Sequence, residues 1–423
     1  MQGNENAVVV YPCGRLSGEI RLQGAKNSVL PVMAAALLNK GISVLYNCPE
    51  IADVYIMAEL LKICGCSVEF NNHTMTIDAS DADNGILSGE YGTKMRASVI
   101  LMGSCLGRFG KFVMPPPGGC AIGKRPVDFH VDAMRKLGAH VVSEDGGIDA
   151  YVEREGLKGN EIRLPFPSVG ATQNILLASV CAEGQTKIRN ASMEPEIWDL
   201  CGFLRLLGAE IDGERTGTIT VKPGGREHGR DIEYTVPADR IVAGTILTAA
   251  AGCSGNVYIP NVECDRIGSV IRHLGAKPSA DGIGVIINTD RRKELECVIS
   301  TGPFPEFPTD MQSIFLSLMA VSGSFCIMEE NVFDTRFAAA YELNKLGADI
   351  RTEGKLAYVY GRRRLHGGTV TAGDLRGGAA LVLAGLFADE PVTVRGCRYI
   401  RRGYENLPGD LRNLGAKIVE CSE

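Results

Sequence analysis

The 423-residue chain is 45% hydrophobic and 22% charged, a globular composition longer than one hydrophobic core usually serves, so two domains are expected. A net charge of -6 argues against a nucleic-acid binder, which needs a basic face, and no apolar run approaches the ~20 residues that span a membrane. The start, MQGNENAVVVYPCG, lacks the basic and apolar regions of a secretion signal, and the 14 cysteines include no CxxC pair, so a cytoplasmic protein with neither a disulfide framework nor a zinc site is expected.

Along the chain, two phrases alternate. The first element, LQGAKNSVLP, opens an apolar helix at a glycine turn and places Lys26 at its N-terminus, a ready site for an anion. The stretch ALLNKGISVLYN then reads as a small-residue helix, a glycine and a β-branched strand. LKICGCSVEF follows as a helix ending at a glycine, then a strand. TKMRASVILMG repeats the opening, with Arg96 at the start of an apolar helix, and CLGRFGKFVMP repeats the second phrase.

The pattern then breaks. In MPPPGGCAIGKRPVD, from Met114 to Asp128, prolines and glycines forbid helix and strand alike. Cys120 lies there beside Lys124 and Arg125, whose positive field favours the thiolate and proton exchange near neutral pH. An incidental cysteine is the alternative.

Beyond the break the phrases resume as MRKLGAHVVS, SVCAEGQTKIRN, LRLLGAEID, AAAGCSGNVYIPN and IRHLGAKPSA. Asp310 in FPEFPTDMQSIF precedes another apolar helix; Thr309 or Asp310 reads equally as an N-cap or, for Asp310, as a base. AVSGSFCIMEEN and LNKLGADIR follow. Arg376 in GDLRGGAALVLAG repeats the layout of Arg96. After LFADEPVTVRG, Arg402 in YIRRGYENL stands before a last helix, and LRNLGAKIV closes the series. Arginine suits forked pairing with phosphate and carboxylate. Six glycines (Gly65, Gly138, Gly208, Gly275, Gly347 and Gly415), 67 to 73 residues apart, mark six repeats. Each suits the left-handed residue that ends a helix. The intervening Ala-, Gly- and Leu-rich helices are apolar all round and are expected to be buried.

The set GAKNSVLP, TKMRAS, PGGCAIGKRPVD, PSVGAT, EPEIWD, FPTDMQ, DLRGGAALVLAG and RGYE resembles the UDP-N-acetylglucosamine 1-carboxyvinyltransferases of the enolpyruvyl transferase family, from about Tyr11 to the C-terminus. The resemblance implies an α/β (α+β) fold, a two-domain inside-out α/β barrel of six βαβαββ repeats, three per domain around buried helices. It implies one domain over 26–237, carrying the Cys loop, and a second over 1–25 and 238–423, with the active site in the cleft between them. It implies transfer of the enolpyruvyl group of phosphoenolpyruvate to the 3'-hydroxyl of UDP-N-acetylglucosamine, without metal or cofactor and without nucleic-acid or membrane partners. A monomer is favoured.

By the same resemblance, Lys26 and Asn27 hold phosphoenolpyruvate and Arg96 contacts substrate. Cys120 is the general acid, and Arg125 closes over the phosphate. Arg125, Pro126, Val127, Asp128 and Phe129 surround the uridine. Ser168, Val169 and Gly170 form the diphosphate turn. Asp310 faces the sugar hydroxyl and Val332 touches the sugar nucleotide. Asp374, Arg376 and Arg402 close on the anion, and Glu196 and Arg336 are further polar positions. The chain departs from many relatives in having three prolines before GGC, and from some in having Phe166-Pro167 where they carry a lysine ahead of the serine.

Overall fold

In a computed structural model, which describes residues 7–87, 96–116, 127–144, 147–224, 229–280, 282–290, 295, 298–333 and 336–421, the six repeat glycines all take positive φ, from 69° at Gly275 to 102° at Gly415. Each lets the chain leave a helix and enter a strand without the Cβ strain another residue would meet. Two compact units result. One holds the described residues up to Gln23 and from Ala238 onward; the other holds those from Gly24 to Pro237.

Among the described residues six small sheets form, five of four strands and one of three. One pattern recurs. In the sheet of Glu161–Arg163, Thr186–Arg189, Glu210–Asp212 and Thr218–Lys222, the first strand pairs parallel with the second. The fourth lies between the second and third, antiparallel to both. The sheet of Val298–Ser300, Phe325–Glu329, Ile350–Glu353 and Leu356–Tyr360 repeats this order. With a helix after the first strand and another after the second, both stretches of sequence read βαβαββ. The mixed α/β class and six-unit pattern expected from the sequence are present. Among the described residues no sheet closes into a barrel, since each repeat keeps its own.

Three repeats borrow a strand from elsewhere in the chain. Ala7–Val10 lies between Val392–Arg395 and Ile418–Cys421, pairing Val8 with Val394 and Val9 with Val419. Ser17–Glu19 pairs parallel with Asn256–Ile259, and Ile232–Thr235 with Ile42–Tyr46. These strands are only three or four residues long, too short for alternation to announce them.

The first helix of each repeat is the buried one. Arg240–Gly252 is buried at all 13 positions, and Leu375–Phe387 from Arg376 onward. Lys26–Ala36, Leu101–Phe109, Val169–Ser179 and Gln312–Met319 are likewise buried over most of their lengths. Most second helices bury less: Asp128–Lys136 buries only Val131, Ala133 and Met134, whereas Pro195–Leu206 buries nine of its 12 residues. No helix among the described residues is long and apolar enough to cross a membrane.

The segments flanking the unit boundary are tightly fastened. Within the Gly24–Pro237 unit the Ala25 amide donates to Pro237 O at 2.7 Å. Asn47, left-handed at φ 57°, donates from Nδ2 to Val236 O at 2.8 Å. Gly24 lies against the Asn47 carbonyl so closely that a Cβ there would collide with it. Gly24→Ala is therefore expected to destabilise this unit by ~1–3 kcal/mol, lowering the urea midpoint of unfolding. An unchanged midpoint would contradict the close approach.

Candidate active site

In the Gly24–Pro237 unit, Lys26 is the first residue of the helix Lys26–Ala36, whose N-cap, Ala25, offers no side-chain cap. Its Nζ pairs with Asp53 Oδ2 at 2.6 Å, and the carboxylate is almost wholly buried. Such a pair gains orientation more than stability, because both charges lose water. Asn27 is half-buried beside it. Ser28 Oγ, one residue on, donates to buried Asp199 at 2.6 Å, which ties this helix start to Pro195–Leu206, the helix whose first turn carries buried Glu196.

The segments expected to take the uridine and the diphosphate come together. Val127 is the N-cap residue of Asp128–Lys136; Asp128 and Phe129 form its first turn. Ser168 caps Val169–Ser179, its hydroxyl accepting from the Ala171 amide at 3.3 Å. The two helix starts touch because residue 170 is glycine: a Cβ there would lie 2.9 Å from His130 Cε1. Buried Asn174 locks them. Its Nδ2 donates to His130 Nδ1 at 2.7 Å and to Val99 O at 2.9 Å, and its Oδ1 accepts from the Gly103 amide at 2.7 Å. One amide thus fastens the helix led by Arg96–Ile100 to the other two. Sequence reasoning missed His130 and Asn174; a Gln-Asn pair inside an otherwise apolar helix was the available signal.

In the other unit, Asp310 does not cap a helix. The 3-10 turn Thr309–Met311 and the helix Gln312–Met319 both start without a side-chain cap. Asp310, 28% exposed, instead takes Arg336 Nη2 on Oδ1 at 2.7 Å and Arg376 Nη2 on Oδ2 at 3.2 Å. The cap reading fails because two buried guanidiniums outcompete backbone amides for a carboxylate. Arg376 stacks over Tyr404 at 5.4 Å. Burial works against the Arg376 charge, but Tyr404, Asp310 and Asp239 outweigh it and raise its pKa above the ordinary value. The Tyr404 hydroxyl also hydrogen-bonds this guanidinium and helps to hold its charge.

Asp374 caps Leu375–Phe387, accepting the Arg376 and Gly377 amides at 2.9 and 2.8 Å. Arg402 ends the 3-10 turn Ile400–Arg402. Gln23 pins the following loop, donating to Gly403 O at 3.0 Å and accepting the Glu405 amide at 2.7 Å. Val332 is half-buried, its amide donating to Glu330 at 2.9 Å. Sequence reasoning missed Asp53, Glu330 and Tyr404. Tyr404 stands in the quoted RGYE; Glu330 follows buried Met328 at strand spacing, which marks it as inward-facing. Cys120, Arg125 and Pro126 lie outside the described residues, as does the Arg96 side chain.

No group of three or more His, Cys, Asp or Glu among the described residues is placed to hold a metal. Twelve described cysteines are unbridged. Burial pushes the Cys48 and Cys66 thiols up to about 12. Cys13, partly exposed, is held down to about 7 by a hydrogen bond with Cys253, against the opposing effect of burial and with help from the Arg15 backbone. A thiolate forms as pH rises through that value and is the reactive species. Alkylation of Cys13 by iodoacetamide should therefore rise through a midpoint near pH 7 while Cys48 and Cys66 stay unmodified, as read by peptide mass spectrometry. A Cys13 midpoint above 8.5 would contradict the contact with Cys253.

Residues 10–411 match the family model described as EPSP synthase (3-phosphoshikimate 1-carboxyvinyltransferase). The chain is 42% identical over 410 residues to a UDP-N-acetylglucosamine 1-carboxyvinyltransferase 2 of Caldanaerobacter subterraneus, covering 96% of this chain and 97% of that one. It is 42% identical over 423 residues to a UDP-N-acetylglucosamine 1-carboxyvinyltransferase 1 of Symbiobacterium thermophilum, covering 98% and 95%. The fold matches the crystal structure of the enolpyruvyl transferase NikO from Streptomyces tendae with a TM-score of 0.87 at 25% identity, over 99% of this chain and all of that one. With its βαβαββ repeats and motifs matched over nearly their whole length, the chain is a transferase that belongs to the UDP-N-acetylglucosamine 1-carboxyvinyltransferase family, within the wider EPSP synthase family.

Proposed function

We propose that this chain transfers the enolpyruvyl group of phosphoenolpyruvate to the 3'-hydroxyl of UDP-N-acetylglucosamine and releases phosphate, the first committed step of peptidoglycan precursor synthesis. The observation that carries the reading is Asp310, partly exposed and aligned by two buried arginines. The names of the full-length relatives support the choice of substrates.

The reaction is addition followed by elimination. Asp310 accepts the proton of the 3'-hydroxyl as that oxygen bonds to C2 of phosphoenolpyruvate. The Cys120 thiol gives its proton to C3, making a methyl group. The tetrahedral ketal then returns a C3 proton to the Cys120 thiolate as the C2–O bond to phosphate breaks and phosphate leaves with the electron pair, and Asp310 gives its proton to solvent. Lys26, Asn27, Arg125, Arg376 and Arg402 hold the phosphoenolpyruvate anion and balance its charge. Arg96 and Asp374 support them. Val127, Asp128 and Phe129, with Arg125 and Pro126, take the uridine. The helix start at Ser168, Val169 and Gly170 takes the diphosphate, and Val332 rests against the sugar.

Cys120→Ala should lower the rate of phosphate release by ~10²–10⁴-fold, the usual worth of a placed acid, while calorimetry finds UDP-N-acetylglucosamine binding largely intact. Fosfomycin, an epoxide mimic of phosphoenolpyruvate, should add its mass to the Cys120 peptide and not to the Cys13 peptide. Undiminished phosphate release by Cys120→Ala would overturn the acid role.

A further inference from the structure

Glu330 is fully buried. Its hydrogen-bond donors among the described residues are all neutral: the Thr309 hydroxyl at 2.9 Å from both oxygens, and the amides of Val332 and Phe333 at 2.9 and 3.0 Å on Oε1. A carboxylate sequestered from water with no cation in contact among the described residues is costly to fold around, so its presence calls for a role beyond packing.

Its geometry supplies one. A hydroxyl has one proton, and Thr309 gives it to Glu330. Only lone pairs are left to face Arg336, whose Nη1 donates to Thr309 Oγ1 at 2.8 Å. Arg336 Nη2 then meets Asp310 Oδ1 at 2.7 Å. The same Glu330 oxygen that fixes the Val332 amide also fixes Phe333, whose ring lies 5.1 Å from the Arg336 guanidinium. One carboxylate therefore sets the proton direction of Thr309, the aromatic support of Arg336 and the turn that carries Val332.

We infer that Glu330 is a positioning residue that aligns Asp310 through Thr309 and Arg336 and sets Val332 through its turn, coupling orientation of the base to seating of the acceptor sugar. This rests on the reading of Asp310 as the proton acceptor. Loss of the relay lowers turnover, since a misaligned base costs rate more than binding. Loss of the turn weakens the hold on the sugar nucleotide.

The test uses the full chain and steady-state phosphate release, with phosphoenolpyruvate and UDP-N-acetylglucosamine each varied and Asp310→Asn as control. Thr309→Val, which keeps the shape and removes the hydroxyl, should lower kcat by about tenfold with the KM for phosphoenolpyruvate within about twofold. Thr309→Ser should restore the rate to within about threefold of the parent. Glu330→Gln should lower kcat and raise the KM for UDP-N-acetylglucosamine together, and adding Thr309→Val to it should cost little more, since both break one relay. If Asp310→Asn turns over normally, the base reading fails. If Asp310→Asn is inactive but Thr309→Val keeps the parent kcat, or Thr309→Ser is as slow as Thr309→Val, the relay is overturned while the base reading stands.

Discussion

A helix buried on every side has no face on which to keep a charge, and this constraint organises both units. The buried helices are built mainly from apolar and small residues, and Arg240–Gly252 packs so closely that a Cβ at Gly244 would press on Met311 and one at Gly252 on Phe387. Charge is pushed to the helix ends, where the free amides and the positive end of the dipole favour anions. Candidate residues gather there. Lys26, Ser168, Asp374 and Arg376 begin or cap such helices, while Arg96 and Asp310 lie in 3-10 turns that lead into them.

Charge is then managed locally in a chain that is acidic as a whole. Arg336 and Arg376 are 6% and 3% exposed, and Asp310 joins them into one ion-paired group. Lys26 is matched by Asp53 in the same way. Fixed, desolvated pairs of this kind contribute little net stability. They hold donors in place before a substrate arrives, and that preorganisation is what a transfer reaction with developing negative charge needs.

Much of this could be read from the residues alone. The six glycines announced the repeat because only a left-handed helix exit tolerates them so regularly. The apolar helices announced their own burial. The borrowed strands could not be read, because pairing of Ala7–Val10 with Val392–Arg395 is a contact across nearly the whole chain. Asp310 was equally legible as a cap and as a base; its two arginine partners, 26 and 66 residues away in sequence, set the cap aside. Glu330 and Asn174 escaped notice since a buried polar residue declares its partners only once the chain is folded.

The central claim is that this arrangement serves the coupling of two substrates, and one measurement meets it directly: inorganic phosphate released from phosphoenolpyruvate by the full chain, with and without UDP-N-acetylglucosamine. The account predicts release, with one enolpyruvyl group gained by the sugar nucleotide per phosphate, when both are present and none when the sugar nucleotide is omitted. Equal release without it, or none with both, would contradict the account.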